Sequence, residues 1–520
     1  MTEPTSPKPP PFLNLAEEKS KSSPDLFKVV LEYKKNEPHL AFLQPYSHTV
    51  LNNFYANNAE VKVEDLRKLW RLILIDAIYF LRINDHREAS FYTTTGKKKK
   101  KTKMGNPFVP QVAEANVYGI NELSNYFEQF TEFESTLYGA DRYYRDHVIH
   151  PLNVWLTGVN LLKNYGKYFS LRAVTHASVE DENHANPKWF GSNKGEDGKL
   201  KLSTAELSAM WAIVALTHDL GYPLEKVEKV NDQLEKMMSQ FGNIGFTRSR
   251  FSFENQHDHL VKFLLKLISS VCTPYEEIGK KKNKKENKSE IRWTNHLRTK
   301  YYTKFSKSWE QFDHGIVSCL LMLKTLTFFI ESDYSNENAK PLSSEDARQF
   351  AIRSEILHAI ASHTTPKIYH LAANNLPFLL VFCDDIQEWS RPTLADMRVG
   401  IKGSAERVTI KEFHISDTKN KPSNIVVLIE YPFIPIEDQK DFVKRIFRKW
   451  VERFRPALED ADRTFKFRWE VKFGNDGLEY VFELDNTKPS VFKKIKIDFL
   501  SEIGVYHKNH DISILDNDEK

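Results

Sequence analysis

The segment AMWAIVALTHDLGYPLEK, residues 209–226, constrains this chain more than any other stretch. An apolar run with helical character ends in His218-Asp219 and is followed at once by a Gly-Tyr-Pro turn. Adjacent His and Asp side chains cannot share a face in mid-helix, but at a frayed helix end both can turn toward one point. Ligand-type residues therefore sit where an otherwise apolar helix stops.

The same residue types recur in other apolar or amphipathic segments. RYYRDHVIHPLNVWLTGVNLL carries His147 and His150, FDHGIVSCLLML carries His314, EILHAIASHTTP carries His358 and His363, and FLLVFCDDIQEWSRP carries Asp384 and Asp385. A chain of 520 residues exceeds one simple core, so about two or three domains are expected. The formal charge of +4 is small for that length and gives no global reason to bind nucleic acid or membrane. Three widely spaced cysteines make neither a disulfide framework nor a CxxC zinc site, and they read as reduced core thiols. MTEPTSPKPPPFLNLAEEKSKSSPD lacks the apolar core of a secretory signal, and the most apolar stretches are short and carry charges. A soluble cytoplasmic protein is the expectation, with no membrane partner.

Residues 1–35 are expected to be a disordered tail, and 36–136 a helical region interrupted by the lysine run GKKKKKTKMGN. Within it, residues 64–82 have helical periodicity. From 137 to 400 the signal is almost wholly helical, with helices predicted near 145–163, 204–217, 255–271, 312–330, 344–362 and 376–389. Ser203 before Glu206 and Ser343 before Asp346 look like N-caps with acidic first turns. An all-α bundle with ligands projecting inward follows. Residues 401–520 read as a smaller α+β domain of ββαββ type. In it, Phe442, Ile446, Trp450 and Phe454, flanked by Val443, Phe447 and Val451, form an apolar stripe with Lys and Arg outside, and a final helix is expected at 491–503. Asn475-Asp476-Gly477 supplies a hairpin turn.

The order of a His, a His-Asp pair, further His and a distal Asp resembles the HD superfamily of metal-dependent phosphohydrolases over roughly the middle half of the chain. That resemblance implies that His150, His218, Asp219 and Asp384 hold one divalent ion, Mn, Fe, Co, Ni, Zn or Mg, while His314 and His363 add a second and Asp219 bridges both. It also implies hydrolysis of a phosphate ester or anhydride, on a nucleotide or other phosphorylated small molecule, by metal-bound water or hydroxide. Asp219 is then the central catalytic carboxylate. His147, Arg145 and Lys226 are candidates for binding phosphate or protonating the leaving oxygen, and Asp385, Gln387 and Arg391 for orienting ligands. Two departures limit the transfer: Tyr222 stands where many relatives have a lysine, and His363 is followed by TTPKIYH rather than the pattern of cyclic dinucleotide phosphodiesterases.

Each assignment has a plainer competitor. His218-Asp219 can be a helix-terminal His with a turn Asp, His147 or Asp385 can replace its neighbour as ligand, and His314 can cap a helix with Asp313. His363 can serve the helix dipole, His358 is a core histidine by position, and Arg145, Lys226 and Arg391 can be ion-pair residues. His257 and His259 form an HxH pair that reads as a solvated helix start. Beside hydrolysis stand two other functions: an inactive metal-bound scaffold that senses nucleotides or mediates protein interaction, and a nucleic-acid binder using the lysine loops around 97–103 and 280–288, which is not favoured because aromatics are not interleaved. The C-terminal domain can mediate oligomerisation.

Overall fold

The computed structural model describes residues 38–56, 63–87, 119–141, 144–165, 169, 202–242, 256–279, 288–331, 341–365, 373–389, 391, 405–416, 423–432, 465–474, 479–485, 494–501 and 504–511, with most of 439–454. The expected tail, the first lysine run, residues 280–287 of the second and the Asn475–Gly477 turn lie outside these residues. Helices dominate: α1 (Pro45–Ala56), α2 (Val63–Arg87), α3 (Ile120–Ala140), α4 (His150–Tyr165), α5 (Thr204–Thr217), α6 (Tyr222–Glu225), α7 (Val227–Met238), α8 (Gln256–Ser269), α9 (Thr299–Glu310), α10 (His314–Thr325), α11 (Ser344–Ser362) and α12 (Leu376–Ile386). Among the described residues no helix is long and apolar enough to cross a membrane.

Helix α5 is the axis of the helical region. Every residue from Ala205 to Thr217 is buried, which an all-round apolar sequence requires and an amphipathic one would not permit. It packs against α2, α4, α11 and α12. Its start is the expected capping box, with the Ser203 hydroxyl accepting from the Glu206 N–H and the Glu206 carboxylate accepting from the Ser203 N–H. Ser343 and Asp346 start α11 in the same way. Cys272, Cys319 and Cys383 are free and buried.

Two stretches depart from the helices expected there. The predicted helix 255–271 stops at Ser269, and β1 (Ser270–Gly279) pairs antiparallel with β2 (Lys288–Leu297), an arm flanking the second lysine run. Near the end of the chain, β7 (Lys494–Ser501) and β8 (Gly504–Asp511) replace the expected final helix. Ile495, Ile497 and Phe499 alternate with polar residues there, a period of two that a helix cannot use.

These last strands extend a six-stranded mixed sheet, β3 (Arg407–His414), β4 (Ser423–Tyr431), β5 (Phe465–Phe473), β6 (Glu479–Asp485), β7 and β8 in spatial order. All neighbours are antiparallel except β4 and β5, which are parallel and so need a crossover. Helix α13 supplies it; the described residues of 439–454 are helical. Its buried edge is Val443, Phe447, Trp450 and Phe454, whereas Phe442 and Ile446 are only partly covered. Trp450 stacks on Trp469 at 4.8 Å and Phe447 on Phe482 at 4.8 Å. Phe378 and Phe382 of α12 meet Phe413, Phe454, Phe465 and Phe467, so this region rests directly on the helix that carries Asp384.

Candidate metal centre

The end of α5 is held from three sides. A helix leaves its last carbonyls without internal partners, and burial makes each one costly to leave bare. Here Trp70 Nε1 of α2 donates to the Leu216 carbonyl at 2.8 Å, the Tyr126 hydroxyl of α3 donates to Leu220 at 2.7 Å, and the Ser318 hydroxyl of α10 donates to His218 at 2.8 Å. The same Ser318 oxygen accepts from the Gly221 N–H at 2.7 Å. A Cβ at Gly221 would lie 2.3 Å from the His314 carbonyl, and one at Gly315 would lie 2.6 Å from Thr364 Oγ1. Both glycines therefore permit the close approach that brings the His-Asp turn, the start of α10 and the end of α11 together.

Four helix ends deliver four imidazoles to that point. His150 and His314 are the first residues of α4 and α10, and His218 and His363 follow the last residues of α5 and α11. Every Nδ1 has an acceptor: the Gln387 amide oxygen for His150, the Ala215 carbonyl at 2.9 Å for His218, the Glu225 carboxylate at 2.5 Å for His314, and the Ile360 carbonyl at 2.5 Å for His363. Gln387 presents its oxygen because its Nε2 donates to the Trp389 carbonyl at 2.9 Å. Carbonyl and carboxylate oxygens only accept, so each Nδ1 carries the proton and each Nε2 presents its lone pair when the ring is neutral.

All four Nε2 atoms surround Asp219, which divides its oxygens between them. Oδ2 lies 3.1 Å from His218 and 3.7 Å from His150, whereas Oδ1 lies 3.3 Å from His314 and 3.6 Å from His363. Two triads result, His150–His218–Asp219 and Asp219–His314–His363, each with ligand atoms within 4.8 Å of one another. Asp384 Oδ1 adds a second carboxylate to the first triad, 3.0 Å from His150 Nε2. The donors are imidazole and carboxylate without thiolate, the set that suits divalent first-row ions, and Asp219 is the member common to both triads.

The cluster also requires positive charge. His314 and His363 face each other with Nε2 atoms 3.0 Å apart. Two neutral lone pairs at that separation repel, and only a proton or a metal ion between ligand atoms relieves them. Burial pulls the His314 imidazole down, but the Asp219 and Glu225 carboxylates outweigh burial and hold it up at about 9. Burial pushes His363 down to about 4. Asp219 is buried, which opposes ionisation, yet His218 and then His314 and His363 hold its carboxyl well below the usual range. Among the described residues the buried Nε2 of His218 meets only Asp219 Oδ2, at 3.1 Å. Divalent ions would satisfy all of these atoms together.

The structure gathers the six predicted ligands, and it places the other candidates around them. His147 is buried, stacks on Tyr222 with ring centroids 3.9 Å apart, and leaves Nδ1 without a partner. Burial pushes its imidazole well below the usual value. Arg145 donates to Glu388 at 2.7 Å and to the Arg391 carbonyl at 3.1 Å, and Arg391 donates to the Asp146 carbonyl at 3.0 Å. Lys226 pairs with Glu225 at 2.6 Å and lies over the Tyr222 ring. His358 bonds the Ile268 carbonyl at 2.7 Å among Tyr301 and Phe305, a core position. His259 is exposed, and the His257 side chain lies outside the described residues.

Several groups at the centre carry no sequence prediction. Glu225 orients His314 through its Nδ1, and beside Lys226 nothing in the sequence sets it apart from a solvated acid. The Asp146 carboxylate caps the start of α4, accepting from the Ile149 and His150 N–H groups at 3.0 and 2.9 Å, and so fixes the backbone that carries the His150 ring. Arg453 and Lys449 arrive from α13: Arg453 bonds Asp384 at 3.0 Å and Asp385 at 2.9 Å, and Lys449 pairs with Asp385 at 2.9 Å. On the sequence their charged helix face is indistinguishable from a solvated one. No protein-family model, curated protein or solved structure matches this chain.

Proposed function

We propose that this chain is a metal-dependent phosphohydrolase of HD type, acting on a phosphate ester or anhydride of a nucleotide. One observation carries the reading: four imidazoles, each with its Nδ1 anchored, turn their Nε2 atoms onto the two oxygens of one buried aspartate. A histidine kept for packing needs no such orientation, whereas a ligand does. His150, His218, Asp219 and Asp384 would hold one divalent ion and Asp219, His314 and His363 another. Ions there would acidify a bound water and neutralise charge on a phosphoryl group.

The chain's own residues supply the rest. Asp219 stays ionised at neutral pH, as a shared ligand must. Gln387, Glu225 and the two helix carbonyls hold the rings in the liganding tautomer. His147, neutral at pH 7 and with Nδ1 unpaired, can hydrogen-bond a phosphate oxygen or the leaving group beside the cluster. Lys226 and Arg145 contribute positive charge nearby while bonded to Glu225 and Glu388.

The test combines metal analysis of the purified protein with hydrolysis of a nucleotide and phosphodiester panel in Mn²⁺. Bound metal and turnover that disappear in Asp219→Asn are expected. Bound metal without turnover on any member would leave the nucleotide-sensing scaffold in its place, and absence of metal binding would reject both.

A further inference from the structure

We propose that Arg453 is a positioning residue for the metal centre, through which docking of the C-terminal sheet region sets the affinity of the cluster for divalent ions. The proposal rests on the metal-binding reading above. Its basis is the way one guanidinium ties the two triads together. Nη2 donates to Asp384 Oδ2 at 3.0 Å, Nε donates to Asp385 Oδ2 at 2.9 Å, and Nη1 donates to the carbonyl of His363. Asp384 thus has one oxygen fixed by Arg453 and turns the other, Oδ1, toward His150 Nε2. At the other triad, the bond to the His363 carbonyl pins the end of α11, from which the His363 ring projects.

Arg453 cannot take up this position on its own. Its neighbours Trp450 and Phe454 are buried against Trp469 and Phe467, so the guanidinium is placed by the packing of α13 on the sheet. Lys449, one turn earlier, holds the second oxygen of Asp385 at 2.9 Å. Asp385, only 2% exposed, therefore acts as the anchor that keeps Arg453 over Asp384. A planar fork with three differently directed bonds fixes a carboxylate's orientation, which a single ammonium cannot do. Loss of such an orienting partner typically weakens metal binding by about 10–100-fold.

The test is Mn²⁺ binding by the full chain, measured by calorimetry or chelator competition, with the thermal midpoint of the metal-free protein recorded alongside. Wild type should bind. Arg453→Ala should bind about 10–100-fold more weakly, and Arg453→Lys, which keeps the charge but not the fork, should recover only part. Lys411→Ala, which breaks an ion pair with Glu470 inside the sheet, should bind like wild type. Should Arg453→Ala fail to fold, Asp385→Asn supplies the reading by removing the anchor alone, with an intermediate loss expected. Wild-type affinity in Arg453→Ala, or in Asp385→Asn if the former does not fold, overturns the proposal and leaves the metal centre standing. An equal loss in Lys411→Ala overturns it too, since the effect would then be general to the sheet. No binding by wild type removes the metal centre itself.

Discussion

The two triads share Asp219 yet spend their negative charge differently. In the first, a second carboxylate, Asp384, stands among the ligand atoms, and the rings of His150 and His218 are anchored by neutral oxygens. In the second, the extra carboxylate is Glu225, which stands behind His314 and touches its far nitrogen. The His150 and His218 side chains are fully buried, whereas that of His314 is 16% exposed. A carboxylate facing an ion attracts it directly, whereas one behind an imidazole makes the ring a better base and a better proton holder. On the metal-binding reading, the first triad should therefore hold an ion more tightly than the second.

The largest effect should come from the residue the triads share. Asp219→Asn keeps the shape but removes the charge that both ions need, so bound metal should fall from two ions to none at micromolar concentrations, and turnover should go with it. A variant that retained two ions would break the shared-ligand picture altogether.

Next come changes confined to one side. His363→Ala should remove one ion and leave the tighter one, while Asp384→Asn should weaken the tighter site by about 10–100-fold or more. Titration with Mn²⁺ followed by metal analysis distinguishes them: if both variants lose the same site, the two halves are not independent and the contrast between them fails.

Proton competition separates the halves further. His314 is held up at about 9 in the metal-free cluster, so an ion entering the second triad at pH 7 must displace its proton. Apparent affinity there should rise about tenfold per pH unit as pH increases and level off near pH 9. Glu225→Gln removes one of the two carboxylates that hold the proton, so the levelling should move to lower pH. Calorimetry in two buffers of different ionisation heat reads the released proton, and a release unchanged by Glu225→Gln would contradict this account of His314.

What could be read from the sequence follows the range of the interactions. The α5 core run and both capping boxes depend on neighbours within a turn or two, so local spacing displayed them. The residues of the cluster were legible because each is a polar residue at or near the boundary of an apolar helix, where burial without partners is expensive. Glu225 and Arg453 were not, since an acid next to Lys226 and an arginine on a basic helix face look solvated until distant elements pack onto them. The arm of β1 and β2 was missed because its pairing partner, not its own pattern, makes it strand. In β7 the alternating signal was present, and the helical reading simply weighed it too little.

The smallest effect lies outside both triads and should leave them untouched. Glu134 of α3 accepts from the His147 N–H at 2.8 Å and from the Tyr144 hydroxyl at 3.1 Å. Burial, aided by the nearby Asp146 carboxylate, pushes its carboxyl up to about 8. A carboxyl whose folded value lies above its unfolded one binds its proton more tightly when folded. Its contribution is therefore complete below the unfolded value and is lost as pH rises toward 8, at about 1.4 kcal/mol for each unit of separation. Glu134→Gln keeps the accepting oxygen and cannot ionise, so its stability should fall less than that of wild type between pH 5 and pH 8, with the number of bound ions unchanged. Thermal unfolding of both proteins at the two pH values checks the first statement and metal analysis the second. Parallel pH profiles would mean that Glu134 is ionised in the fold, and a lost ion would mean that the buried carboxyl pair beneath His147 belongs to the metal centre after all.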